Sequence, residues 1–210
     1  EDGQILRELA KKQLEFHHRE ENQRRIKEWY AHNALQGQRP MIHLVAGTFQ
    51  QEFLPDRLRC TGEFARQVEQ QLYENFQNQE LFDDDRVTPD WFGVNYDTFF
   101  RLFDIQIHVQ HTEMGGHESV GHHFVSVVED LEDDYDKLKP TAFGVDKEST
   151  RAKFESISQT IGDILPVRMK MDCLYSVPTQ MVVHFMSMEN MMFNMYDYPE
   201  LFQEMMGRIA

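Results

Sequence analysis

Strand-like and helix-like segments alternate along this chain, and that alternation constrains its fold more than any other feature. The apolar run of residues 41–47 ends at a glycine and is typical of a strand buried on both faces, and the four-residue apolar repeat over 61–76 predicts a helix. Another helix is predicted over residues 146–161, and Gly162 is predicted to be its left-handed cap. An alternating strand is predicted over residues 165–172. Strand–helix alternation favours an α/β fold with a parallel sheet.

The remaining segments add helices and one glycine-rich connection. Residues 91–96 and 105–111 are strand-like, and residues 111–123 combine glycines with histidines and are predicted to form a loop. Helices are further predicted over residues 5–35, in two pieces, from their apolar spacing. Two more are predicted to begin at Pro178 and Pro199, since proline is well tolerated in a first helical turn.

Composition narrows the possible partners. The 210 residues are 40% hydrophobic and carry 36 acidic against 21 basic side chains, a net charge of −15 that repels nucleic-acid phosphates and anionic lipids. The two cysteines cannot form a disulfide framework, and no apolar run approaches the roughly 18 residues of a membrane span. We therefore expect a cytoplasmic protein, of bacterial type, that binds neither nucleic acid nor membrane.

Two groups of histidines are candidate functional residues. The predicted loop contains four imidazoles, but its glycines and the five-residue spacing from His117 to His122 do not fit the helical zinc-protease pattern. We therefore expect a surface loop without a metal, and keep as candidate metal ligands His111, His117, His122 and His123. His184 lies in a predicted helix rich in Met and Phe, where it is either a packed core or interface residue or a pocket residue.

Two stretches of the chain are similar to a known family. Residues 161–168 (IGDILPVR) and 188–201 (MENMMFNMYDYPEL), preceded by the run 29–41 (WYAHNALQGQRPM), resemble the uroporphyrinogen decarboxylase superfamily, in its decarboxylase-like and corrinoid-dependent methyltransferase branch. The resemblance implies a partial (β/α)8 TIM-barrel-like architecture. In it, residues 1–36 are an N-terminal helical extension and 37–210 the N-terminal part of a barrel that continues in a missing C-terminal half.

The implied barrel locates a substrate site. Side chains at the carboxyl ends of barrel strands face the pocket, so the candidate substrate-binding residues are Thr48 after the first predicted strand, Asp172 and Tyr175 after the strand of 165–172, and His184. Asp172 is either an acid, a base or cation partner for the substrate, or a residue that caps a turn. The sequence assigns no catalytic residue.

The family includes decarboxylases and methyltransferases, and the sequence lacks the characteristic binding residues of each. Decarboxylases of the superfamily bind substrate carboxylates with an arginine-rich signature, which is missing after Arg39-Pro40. The methyltransferases bind zinc through a His-x-Cys pair and a distant cysteine, whereas Leu58 precedes Cys60 and Met171 precedes Cys173 at that spacing.

We therefore expect an enzyme that transfers a methyl group from a corrinoid in its full-length form. The present chain would be inactive alone, with any corrinoid and zinc bound by the full-length protein. Its expected partners are the missing half of the barrel, a corrinoid protein and a second copy in a homodimer. Two alternatives stay open: a porphyrinogen-type decarboxylase (a lyase), and a non-enzymatic module that binds a metal or a protein partner.

Overall fold

A computed structural model describes residues 1–47, 50–82, 84–114, 117–171 and 177–209, with the backbone alone for residues 51, 112–114 and 117–121. The chain is mixed α/β and divides into two compact units. Unit 1 comprises residues 1–96 and 147–171, and unit 2 comprises residues 97–146 and 172–210. The strands described form three separate two-stranded sheets rather than one continuous sheet.

Unit 1 is a parallel strand pair with helices. Its elements are α1 (Asp2–His18), α2 (Glu20–Asn33), α3 (Gln50–Phe53), α4 (Glu63–Leu81), β1 (Phe92–Asn95), α6 (Lys147–Ile161) and β6 (Val167–Lys170). Strands β1 and β6 are parallel, with Phe92 opposite Val167 and Asn95 opposite Lys170. Helix α6 directly precedes β6, so these two elements form the αβ unit predicted from the sequence.

The core of unit 1 joins the strand pair to α1, α4 and α6. Phe16 of α1 stacks on Phe76 of α4 with ring centroids 5.2 Å apart, and the buried Phe92 belongs to the same cluster. These apolar residues recur at three- and four-residue spacing, which is why the helices over 5–35 and 61–76 were predictable. The predicted N-terminal extension thus packs within unit 1.

Unit 2 combines two antiparallel strand pairs with short helices. Its elements are β2 (Asp97–Arg101), β3 (His108–Met114), β4 (His117–Val125), α5 (Leu131–Asp134), β5 (Ala142–Asp146), α7 (Pro178–Met186), α8 (Met188–Asp197) and α9 (Pro199–Ile209). Strand β2 pairs with β5 and β3 with β4. The buried side chains of Val182, Phe185 and Met205 belong to its core, and both predicted proline-initiated helices are confirmed.

The apolar run of residues 41–47 is not a strand, so this prediction was wrong. Ile42 is 65% and Val45 75% exposed, and no strand is assigned from 41 to 46. The amide nitrogens of Ile42 and Leu44 donate instead to the carboxylates of Asp85 and Asp84, at 2.7 Å each. Side chains thus take the hydrogen bonds that a neighbouring strand would have made.

Two other local predictions were also wrong. Residues 111–114 and 117–123 lie in strands β3 and β4 instead of a loop, because their backbones pair, with His111 opposite His122 and Met114 opposite His117. Gly162 follows α6, but its φ lies outside the left-handed region. Its lack of a side chain serves a close approach instead, since a Cβ there would lie 2.4 Å from the carbonyl oxygen of Ser158.

Candidate functional site

The carboxyl-terminal edge of the β1–β6 pair is the candidate functional site. Asn95 and Lys170 lie opposite each other at this edge, and the amide nitrogen of Tyr96 continues the ladder to the carbonyl oxygen of Lys170 at 3.2 Å. Beyond it, Tyr96 is 36% and Met171 64% exposed. In open α/β folds this edge of a parallel sheet is where ligands bind.

Helix α4 and a glycine hold β1 in place. Gln71 of α4 donates from Nε2 to the carbonyl oxygen of Gly93 at 2.7 Å. Gly93 is needed for close packing, because a Cβ there would lie 2.9 Å from both the Trp91 ring and the Lys170 side chain. The strand ends are therefore fixed by interactions within unit 1.

The structure describes one of the four predicted substrate-binding residues. Thr48, Asp172 and Tyr175 lie outside the described residues, as does Cys173.

His184 lies in unit 2, on helix α7. Its ring stacks on that of Phe124 in β4, with centroids 4.1 Å apart and planes 25° apart. Gln180 lies one turn earlier, with its Nε2 atom 3.0 Å from Nε2 of His184. The half-buried ring thus packs between a helix and a strand of its own unit.

The candidate metal ligands lie on the hairpin. His111 is directly opposite His122, Gln110 opposite His123, and the backbone of Met114 opposite that of His117. His111 and His122 therefore share one face of the strand pair, while His123 lies on the other face. Among the residues whose side chains are described, no group of three or more His, Cys, Asp or Glu side chains could hold a metal ion.

Arg39 directly precedes the segment that lacks the carboxylate-binding signature, and its guanidinium is hydrogen-bonded to carboxylates of this chain. It donates two hydrogen bonds to Asp85, at 2.6 and 2.8 Å, and one to Glu28 at 2.8 Å. The Arg39 guanidinium lowers the pKa of Asp85 to about 2, despite partial burial of the carboxylate and with help from the Ile42 amide. Both partners are charged throughout the physiological range.

Cys60 is a buried thiol in unit 1. Its amide and that of Arg59 donate to the buried carboxylate of Glu69, at 2.8 Å and 2.9 Å. Burial, reinforced by the negative charge of Glu69, raises the pKa of the Cys60 thiol to about 12. Since metal binding and nucleophilic attack both need the thiolate, Cys60 has a structural role.

Comparison of the chain with protein-family models, curated proteins and solved structures finds no match. The family resemblance therefore rests on residues 161–168, 188–201 and 29–41 alone. No helix within the described ranges is long and apolar enough to cross a lipid bilayer.

Sequence reasoning missed Asn95 and Lys170 as edge residues. Both strands were predicted, but the pairing of β1 with β6 joins positions on either side of residues 97–146. Local periodicity carries no information about such a pairing. The available signal was chemical: a polar or charged residue lies within two positions of the end of each predicted strand.

Proposed function

We propose that this chain is part of a (β/α) barrel enzyme of the uroporphyrinogen decarboxylase superfamily. In this proposal the full-length protein transfers a methyl group from a corrinoid carrier to a small acceptor. The observation that carries the proposal is the parallel β1–β6 pair, with α6 leading into β6 and Asn95 opposite Lys170 at the carboxyl edge. This arrangement is the repeating unit from which such barrels are built.

Arg39 favours methyl transfer over decarboxylation. A porphyrinogen carries several carboxylates, and binding them requires cations with free hydrogen-bond donors. The guanidinium of Arg39 already donates three hydrogen bonds to Asp85 and Glu28. Releasing it would leave Asp85, which is only 11% exposed, without its cation.

The described residues do not fit the zinc site of the methyltransferases. Cys60 is protonated and hydrogen-bonded into the core, and the paired His111 and His122 supply two nitrogen ligands without a thiolate. Any zinc or corrinoid would be bound by other residues of the full-length protein.

Two residues at or beyond the end of the strand predicted over 165–172 would contact the substrate in this proposal, Asp172 and Tyr175, and Asp172 would supply a negative charge to a cationic or hydrogen-bond-donating acceptor. Thr48 is not retained, because residues 41–46, which precede it, do not form the predicted strand. Met171 and Tyr96, both exposed at the candidate edge, would form part of the pocket wall.

Titration of methylcobalamin and Zn²⁺ tests the proposal. Both would be added to the full-length gene product and to the 210-residue chain, with binding followed by calorimetry and the corrinoid absorbance. We expect the full-length protein to bind both and Asp172→Asn to slow methyl transfer to a thiol without changing corrinoid affinity. Failure of the full-length protein to bind a corrinoid would refute methyl transfer.

The same samples distinguish the alternatives. Release of carboxyl groups from a porphyrinogen substrate, measured from its products, would establish the decarboxylase. Zn²⁺ binding by the 210-residue chain that is abolished in His111→Ala would establish a metal-binding module instead. The Arg151→Ala variant is the control for surface substitution, since Arg151 contacts Glu155 across an exposed helix turn.

A further inference from the structure

A cleft of about 610 Å³ opens in unit 1 between helix α2 and residues 86–91. This volume is within the usual range for small-molecule sites, roughly 300–1,000 Å³. The cleft lies within unit 1 and away from the carboxyl edge of the β1–β6 pair, so it is independent of the proposed function. The residues that matter for its chemistry are Trp29, Tyr30, Arg86, Asp90 and Trp91.

Two indole rings line this cleft, and both are held in place. Trp29 donates from Nε1 to the carbonyl oxygen of Asp85 at 2.6 Å, and its ring meets that of His32 edge-on at 5.5 Å. Trp91 lies beneath the guanidinium of Arg168, 5.5 Å from its ring centroid. Fixed aromatic faces favour a flat ligand, because stacking then costs little ordering.

The 86–91 wall is an irregular segment, yet its backbone is satisfied by buried amides. Asn22 donates to the carbonyl oxygen of Thr88 at 3.1 Å, and Gln13 donates to those of Pro89 and Trp91 at 2.9 and 3.1 Å. Asn22 and Gln13 are fully buried. The wall is thus preorganised by side chains of α1 and α2.

The charge of the cleft points to an anion. The guanidinium of Arg86 has one contact, 3.4 Å from Oδ1 of Asn78, and no carboxylate partner within the part of the chain described. Arg39, in contrast, is paired with the carboxylates of Asp85 and Glu28. In a chain of net charge −15, an arginine without a carboxylate beside two indoles provides a localised site for one negative charge.

We propose that this cleft binds a planar, fused-ring aromatic molecule with one anionic group. The ring stacks on the indoles of Trp29 and Trp91, and the carboxylate or phosphate accepts hydrogen bonds from Arg86. Asp90, exposed in the same cleft, repels a second negative charge and so restricts the ligand to a single anionic group.

Tryptophan fluorescence is a direct assay. The chain has two tryptophans, and both line this cleft, so quenching reports on this site. Adenine-9-acetate and adenosine 5′-monophosphate, which are practically non-fluorescent, would be titrated as the carboxylate and phosphate probes, with 9-methyladenine and adenosine as their uncharged counterparts. We expect saturable quenching by at least one anionic probe and about 10-fold weaker binding of its uncharged counterpart, equivalent to one charge-assisted contact.

Variants at two positions then test the role of charge. Arg86→Gln should raise the Kd about 10-fold, and Arg86→Lys should restore part of the affinity. Asp90→Asn should lower the Kd, because it removes a like charge from the cleft. The proposal would be overturned if neither anionic probe gave saturable quenching, or if charged and uncharged probes bound with equal affinity. It would also be overturned if the Kd were unchanged in both Arg86→Gln and Asp90→Asn. Asp90→Asn decides the matter if Arg86→Gln does not fold.

Discussion

The Arg39–Asp85 pair makes a prediction about stability. Asp85 accepts two hydrogen bonds from Arg39 and one from the Ile42 amide, and its pKa is lowered from 3.8 to about 2. That difference corresponds to ~2.4 kcal/mol at 1.36 kcal/mol per pKa unit. Because the Arg39 side chain is 45% exposed, solvent screening reduces the expected contribution. We expect Asp85→Asn to lower the free energy of unfolding by about 1–2 kcal/mol at neutral pH.

The pH dependence has a definite sign. Because the pKa of Asp85 is lower in the folded chain than in the unfolded chain, its contribution is complete above the unfolded value of 3.8. The contribution decreases as the pH falls through the folded value of about 2. Near pH ~3 roughly half of it should remain, so the wild-type and Asp85→Asn proteins should differ less in stability there than at pH ~7.

Urea unfolding followed by tryptophan fluorescence measures this difference, since Trp29 and Trp91 both lie in unit 1. Glu28→Gln is the matched control: the half-buried Glu28 contacts Arg39 at 2.8 Å and Arg24 at 3.6 Å, and loss of these two ion pairs near the surface should cost less than ~1 kcal/mol. A difference between wild type and Asp85→Asn that is the same at both pH values would refute the reasoning. An equal loss in Glu28→Gln would also refute it.

Three further substitutions should lower stability, each measured as a change in urea midpoint. Glu69→Gln removes the charge that the Arg59 and Cys60 amides contact, costing about 1–2 kcal/mol, and an unchanged midpoint would contradict this. Gly162→Ala should cost about 1–3 kcal/mol, because its Cβ would lie 2.4 Å from the carbonyl oxygen of Ser158. Asn194→Ala leaves the buried Leu131 amide without its 2.6 Å acceptor, costing about 1–3 kcal/mol, and Asn194→Asp should cost at least as much, because a buried carboxylate cannot donate to the carbonyl oxygens of Glu129 and Asn190 that Nδ2 now contacts.

Sequence periodicity predicted the helices well, because the information for a helix is local. The apolar residues of α4 and α6 recur every three or four positions, and Pro178 and Pro199 begin helices as expected. The same reasoning failed for residues 41–47, which were predicted to form a strand. Its apolar residues match a buried strand, but Asp84 and Asp85, far away in sequence, bind its amides and leave Ile42 and Val45 exposed.

The candidate site was harder to predict, because it depends on which strands pair. The order of predicted elements indicated parallel strands and therefore a site at their carboxyl ends. It could not show that β1 pairs with β6 or that Asn95 faces Lys170. The histidine-rich segment was predicted to be a loop because its glycines hid an alternating strand pattern, which places His111 opposite His122.

Unit 1 is built from two chain segments that are separated by residues 97–146, and this separation affects folding during protein synthesis. Strand β1 emerges from the ribosome long before β6, its partner, because residues 97–146 of unit 2 are made in between. Helices α1 and α4 can associate early, but the apolar residues Phe92 and Val94 lack their strand partner until residue 170 has been translated. Such distant pairing slows folding and leaves nascent chains prone to aggregation. A chaperone would therefore act most effectively while residues 97–170 are being made.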